Sequence, residues 1–169
     1  AAATAFGLWR RGHDGRLLPV TAAGQPTGAA GQPTGAAGQP TPAAGRDGDA
    51  AAPAVHGRAA PPVAPELLAA LGVVPGQVTL LQFSTAFCAP CRVTRRVCGE
   101  VARLLDGVRH VEVDAVSHLD AVRALGVWRT PTLLILDGAG RVVQRAVGAP
   151  TTAQVVAAVA PLLPAAVTP

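Results

Sequence analysis

The sequence is poor in large side chains. Aromatic residues make up 3% of its 169 residues, and tyrosine and methionine are absent. The first third is so depleted in large apolar residues that only about a hundred residues remain to build a core, which predicts one small domain. We expect that core to consist of valine, leucine and alanine, with Phe83, Phe87 and Trp128 as its bulkiest members. For Trp128, a place on a hydrophobic docking surface stays equally open.

Cysteine is also scarce, since three cysteines are too few for the disulfide framework of a small secreted domain. Cys88 and Cys91 are three positions apart, whereas Cys98 stands alone. The close pair therefore points to thiol chemistry. Cys98 is two helical turns beyond Cys91 on the same face, and we predict that it is a buried packing residue.

Lysine is absent, so all fourteen basic residues are arginine, which we interpret as a composition bias of the source. The net charge of +4 divides equally between residues 1–62 and residues 63–169. Neither part therefore has the concentrated basic field that nucleic-acid binding requires. We expect no nucleic-acid partner.

The first nine residues are uncharged and mostly apolar, and they end at Arg10 and Arg11. Nine residues cannot span a bilayer, which needs roughly 20. Two interpretations stay open: the last turns of a membrane helix that begins upstream of residue 1, or a frayed soluble terminus. In the first case Arg10, Arg11 and Arg16 would hold the rest of the chain in the cytoplasm. We therefore expect a cytoplasmic protein, either free or tethered to the inner face of the cell membrane.

Residues 22–42 contain three copies of a seven-residue repeat, Ala-Ala-Gly-Gln-Pro-Thr followed by Gly or Pro. The copies have no charge and no large apolar residue, which excludes the seam of a coiled coil. Glycine is not at every third position, which excludes collagen. The composition predicts a disordered linker over residues 19–62, between an N-terminal tail at 1–18 and a folded domain at 63–169.

The two paired cysteines follow a stretch with strand composition at 78–83 and begin a stretch with helical periodicity at 88–105. The first N–H groups of a helix lack intrahelical partners and the helix dipole is positive there, so a thiolate at Cys88 would be favoured. Pro90 suits the first turn, and the two-residue spacer allows Cys88 and Cys91 to form a disulfide. The stretch predicts a redox site.

The sequence Phe-Cys-Ala-Pro-Cys at 87–91, followed downstream by Arg-Thr-Pro-Thr-Leu-Leu at 129–134, resembles the thioredoxin family. The resemblance runs from about residue 63 to about residue 163. It implies a thioredoxin-like α/β fold, a central mixed sheet flanked by helices, whose first strand is either missing or near Val63. The predicted elements follow that order, with helices at 64–71, 88–105, 119–125 and from 151 or 152 to 160, and strands at 78–83, 108–113, 133–136 and 141–147.

A lone Cys-x-x-Cys motif also occurs as half of a zinc site. Structural zinc needs four ligands, and the other candidates here are only Cys98 and scattered histidines. A purely structural disulfide would gain little, because it closes a very short loop. We expect no metal and no other cofactor.

The resemblance also implies roles for single residues. Cys88 attacks a partner disulfide as the thiolate, and Cys91 resolves the mixed disulfide. Pro131 is implied to be cis, with the Thr130 backbone pairing with an incoming peptide. The predicted substrate-binding residues are Phe87, Ala89, Pro90, Thr130 and Pro131.

The sequence departs from the family at Gln82, where the family usually has a buried aspartate that assists proton transfer. Glutamine cannot titrate. His110 occupies the place of a lysine that commonly neighbours that aspartate. A Gln82–His110 pair that replaces the carboxylate stays open beside plain packing.

Together these features predict a protein-disulfide reductase that works by dithiol exchange in cell redox homeostasis. Its partners would be disulfide-containing proteins and, as electron source, a thioredoxin reductase or another dithiol donor. Two alternatives stay open. One is a non-catalytic adaptor that docks peptides at the face of Cys88 and Pro131, and the other is a disulfide oxidase or an extracytoplasmic thiol carrier.

Overall fold

The computed structural model describes residues 15–20 and 60–164. The five strands are β1 (Leu17–Pro19), β2 (Val78–Ser84), β3 (Val108–Asp114), β4 (Thr132–Leu136) and β5 (Val142–Val147). The helices are α1 (Pro65–Ala70), α2 (Ala89–Leu104), α3 (Leu119–Ala124) and α4 (Thr152–Val159), and a short 3₁₀ turn, Ala160–Leu162, follows α4. Every helix and strand predicted between residues 64 and 163 is present.

Local sequence signals explain where the main elements begin. All seven residues of β2 are buried, as expected for a central strand covered on both faces. Helix α4 begins at a capping box in which Thr151 and Gln154 satisfy each other's backbone N–H groups. Helix α2 begins at Cys88, whose side chain caps it. The redox motif is thus part of the signal that starts its own helix.

The sheet is mixed, with strand order β1-β5-β4-β2-β3. Strands β2 and β3 run parallel, whereas β4 is antiparallel to both β2 and β5. A parallel pair of strands needs a crossover connection. Helix α2, which lies between β2 and β3 in the sequence, is part of that connection. The predicted thioredoxin-like arrangement is confirmed.

Strand β1 differs from the prediction, which had the first strand missing or near Val63. Leu17–Pro19 pairs antiparallel with β5 at the edge of the sheet. Backbone bonds from Gly15 to Val147 and from Val20 to Val143 extend this contact at both ends. These residues belong to the folded sheet, although the sequence placed them in the tail and at the start of the linker. The rest of the tail and of the repeat lies outside the described residues.

The sheet separates two apolar clusters. One contains Leu81, Phe83 and Leu134 with residues of α1 and α3, and the other contains Leu80 and Ile135 with residues of α2 and α4. Phe83 is fully buried, as predicted, but Phe87 and Trp128 are 100% and 92% exposed. Their expected place in the core was wrong because both lie in loops outside the sheet.

Among residues 15–20 and 60–164, no helix is both long and apolar enough to cross a membrane. Residues 1–9, on which the prediction of a membrane tether rests, lie outside that part of the chain.

Candidate redox site

Cys88 and Cys91 lie at the junction of β2 and α2 and form a disulfide, with their Cα atoms 5.2 Å apart. Cys88 is the N-cap of α2, and Cys91 N–H donates to the Cys88 sulfur at 3.2 Å. Pro90 occupies the first turn, where its missing N–H removes no helical bond. The sulfur of Cys88 therefore lies where unpaired N–H groups and the helix dipole favour negative charge.

The two sulfurs differ in access. Cys91 is 2% exposed, whereas Cys88 is half-buried. The neighbours of Cys88 in the chain, Phe87, Ala89 and Pro90, are all exposed to solvent. A partner can thus approach Cys88 more readily than Cys91.

The loop that precedes β4 contacts the turn that leads to the cysteines. The Thr130–Pro131 peptide bond is cis, as the family resemblance implies. Thr85, three residues before Cys88, and Thr130 share a hydrogen bond between their hydroxyls at 3.2 Å. Thr132 Oγ1 donates to the Arg129 carbonyl at 2.7 Å and closes the loop. The two predicted halves of the substrate surface are therefore neighbours.

Gln82 lies beneath Cys91 and is fully buried. Its Nε2 donates to the Cys91 carbonyl at 2.9 Å, so its Oε1, 3.2 Å from His110 Nε2, accepts from that ring nitrogen. Burial lowers the pKa of His110, an effect that the charge of Glu112 opposes and that of Arg95 strengthens. The predicted Gln82–His110 contact exists, and the same Gln82 side chain holds the Cys91 backbone.

Glu112 is a site residue that sequence reasoning missed. It is the register partner of Gln82 across β2 and β3. Its Oε1 accepts from Ser84 Oγ at 2.6 Å and from Arg95 Nη2 at 2.7 Å, and its Oε2 pairs with Arg95 Nε. The alternating pattern of residues 108–113 marked a strand, but only the register shows that this carboxylate neighbours the redox motif.

A cleft of about 400 Å³ opens beside the disulfide. Its lining includes Cys88, Cys91, Arg92, Arg95, Glu112 and Asp114. Asp114 is engaged in its own turn, where it accepts from Val116 N–H at 3.2 Å and Ser117 Oγ at 2.6 Å. The cleft thus brings two carboxylates and two guanidinium groups to the cysteine pair.

Cys98 is free and fully buried. It packs among apolar residues of the cluster under α2 and α4. Burial, and next the charge of Glu112, raise its pKa to about 12, which keeps the sulfur a protonated thiol. Among residues 15–20 and 60–164, no group of three or more histidine, cysteine or acidic side chains could hold a metal ion.

The sequence matches a family model described as Thioredoxin over residues 73–161. Among solved structures, the chain is similar to chloroplastic thioredoxin z, with 25% identity and a TM-score of 0.50 over 59% of this chain and 90% of that one. It is also similar to a thioredoxin pre-protein of Schistosoma mansoni, with 20% identity and a TM-score of 0.49 over 59% of this chain and 91% of that one. A search of curated proteins found no match.

Proposed function

Because this chain belongs to the thioredoxin family, we propose that it reduces protein disulfides by dithiol exchange through Cys88-Ala89-Pro90-Cys91. The family and the cysteine pair support thiol-disulfide oxidoreductase chemistry in general. The observation that carries the reductase proposal is the pairing of an accessible sulfur at a helix start, Cys88, with a buried one, Cys91.

The reaction starts from the reduced dithiol. The Cys88 thiolate attacks one sulfur of a substrate disulfide, that S–S bond breaks, and the second substrate sulfur leaves as a thiolate that takes up a proton. Cys91 then loses its proton and attacks the Cys88 sulfur, which releases the first substrate sulfur. The substrate gains two electrons, and a thioredoxin reductase or another dithiol donor must return them to the Cys88–Cys91 disulfide.

Substrate would dock where the two loops meet. Phe87, Ala89 and Pro90 are exposed around Cys88, and the hydrogen bond between the hydroxyls of Thr85 and Thr130 brings the Pro131 loop alongside. An extended peptide at the Thr130 backbone would place its disulfide against Cys88. The proposed substrate-binding surface consists of Phe87, Ala89, Pro90, Thr130 and Pro131.

Insulin reduction with dithiothreitol as electron donor tests the proposal. Cys88→Ser and Cys91→Ser should each lower turnover roughly 100-fold or more, because the two sulfurs act as a unit. Cys98→Ala removes a thiol that lies outside the site and should retain turnover. Wild-type turnover in both serine variants would refute the proposal and favour the adaptor alternative, to which the non-titrating Gln82 gives some support.

Location is a separate proposal. The arginines at 10, 11 and 16 support a cytoplasmic domain, with or without a tether to the inner face of the membrane. Labelling of Cys88 in intact cells with a membrane-impermeant thiol reagent would test it. Labelling before lysis would instead support the extracytoplasmic carrier or oxidase.

A further inference from the structure

The proposed reaction needs a group that takes the proton of Cys91. The need for such a group rests on the proposed function, because Cys91 must become a nucleophile only if it resolves a mixed disulfide between Cys88 and the substrate. The thiolate is the attacking species, yet Cys91 is 2% exposed, and burial disfavours a charged sulfur. A base within reach of Cys91 would remove this barrier.

Gln82 is not that base. It has no titratable proton, and both ends of its amide are engaged, one with the Cys91 carbonyl and the other with His110. His110 Nε2 already carries a proton, which it donates to Gln82 Oε1. The amide of Gln82 therefore orients the Cys91 backbone, and its nitrogen and its oxygen are both already engaged.

Glu112 has an acceptor to spare. A carboxylate offers about four lone-pair positions, and three donor groups use three of them: Ser84 Oγ and Arg95 Nη2 on Oε1, and Arg95 Nε on Oε2. One position on Oε2 remains. Glu112 lines the same cleft as Cys88 and Cys91, and a cleft of about 400 Å³ has ample room for a bridging water.

We propose that Glu112 is the general base for Cys91, receiving its proton directly or through one water molecule in the cleft. As the Cys91 S–H bond breaks, an O–H bond forms on Glu112, the Cys91 sulfur bonds to the Cys88 sulfur, and the bond from Cys88 to the substrate sulfur breaks. The electron pair leaves with the substrate sulfur. Glu112 then returns the proton to that thiolate, so no further reactant is needed.

The surroundings keep this base ionised. Burial raises the pKa of Glu112, but the hydrogen bonds from Arg95 and Ser84, together with the charges of Arg95 and His110, outweigh it and lower the pKa below its ordinary value. The other charged or titratable groups facing the cleft are Arg92, Asp114, Cys88 and Cys91. Glu112 is therefore a weak base that stays ionised at neutral pH.

A single-turnover reaction isolates the step. The reduced protein is mixed with an aromatic nitrobenzoate disulfide, so that attack by Cys88 releases one coloured thiolate and resolution by Cys91 releases the second. Glu112→Gln should leave the first phase unchanged and slow the second about ten-fold, the low side of general-base effects because the base is weak. The decline of the wild-type second phase at acid pH, where Glu112 becomes protonated, should also change in this variant.

Two variants separate a base from a structural ion pair. Asp114→Asn makes the same change in charge on the other carboxylate of the cleft and should keep the second phase within about two-fold. Arg95→Gln breaks the ion pair but leaves the Glu112 carboxylate in place and more basic, so the second phase should not slow. If Glu112 only fastens α2 to β3, Arg95→Gln and Glu112→Gln should slow it equally.

Each other result has a definite meaning. A second phase of wild-type rate in Glu112→Gln overturns the assignment, and so does slowing by His110→Gln with Glu112→Gln unaffected. Glu112→Asp keeps the charge on a shorter side chain and should give an intermediate rate even if the glutamine variant folds poorly. No first phase in the wild-type protein would refute the proposed function itself.

Discussion

At the scale of single residues, His110 couples the redox site to acid stability. Burial lowers its pKa, so the unfolded chain binds a proton more readily than the folded protein below the ordinary pKa of about 6.5. The lowered pKa of Glu112 acts in the same direction at lower pH, where stability is lost as that carboxylate becomes protonated. Acid should therefore destabilise the protein in two overlapping windows.

We predict that the free energy of unfolding falls as the pH drops from about 7.5 to about 5.5, the window in which histidine titrates. His110→Gln should flatten this slope, since glutamine can still donate to Gln82 but does not titrate. Urea unfolding at several pH values measures the slope. An unchanged slope in the variant would show that His110 gains its proton equally in both states.

Two phenylalanines of the same motif region should behave in opposite ways. Phe83 is 0% exposed and Phe87 is 100% exposed. Phe83→Ala should lower the free energy of unfolding by about 3–5 kcal/mol, because it leaves a cavity. Phe87→Ala should change it by less than about 0.5 kcal/mol and raise KM for insulin. Urea unfolding and steady-state kinetics check the pair, and an unchanged KM would remove Phe87 from the proposed docking surface.

At the scale of elements, the edge strand β1 depends on Gly15. This residue has φ +82°, and a Cβ atom there would lie 2.2 Å from the Ala149 carbonyl oxygen. The clash is with backbone, so it cannot be relieved by a side-chain rotation. Gly15 also donates to Val147 at 2.7 Å, which fixes where the arm enters the sheet.

Gly15→Ala should therefore weaken the arm by about 1–3 kcal/mol and detach β1 while the rest of the sheet persists. Hydrogen exchange should show faster exchange of β5 amides, with β2 amides still protected. Gly72→Ala is the matched control, because Gly72 has φ +75° but nothing within 4 Å of the added Cβ. Equal effects of both substitutions would mean that backbone conformation alone, without the clash, explains the loss.

At the scale of the whole molecule, the repeat connects two points that lie close together. Val20 ends the β1 arm and Ala60 begins the domain, and both line one cleft on the α1 side. The described chain thus stops before residue 21 and resumes after residue 59 at the same cleft. Strand β1 therefore belongs to the same sheet as the strands of residues 60–164.

Deleting residues 22–35, two copies of the repeat, should change stability little. If the connection is a random coil, as its composition predicts, shortening it from 39 to 25 residues alters the loop-closure entropy by roughly 0.4 kcal/mol. Thermal unfolding of the deletion variant measures this. A loss above about 2 kcal/mol would show that the repeat contributes contacts of its own.

Much of the fold and part of the site could be predicted because their signals are local. The 88–91 motif, the apolar run of β2 and the periodicity of α2 predicted the strand, the turn and the helix in the right order, and the family resemblance supplied the cis Pro131. The exposed state of Phe87 could not be predicted from composition, which favours burying the few aromatic residues. Glu112 could not be found either, since its meaning depends on a strand register.

The sequence by itself determined that two cysteines begin a helix after a buried strand, because propensity, capping and hydrophobic period are set by neighbours along the chain. Only the tertiary structure decided that β1 joins the β5 edge and that Gln82 holds the Cys91 carbonyl. It also decided that Glu112 lies beside Gln82 in the sheet. These are contacts between residues far apart in the chain. They follow from which strands pair and in what register, which no local pattern specifies.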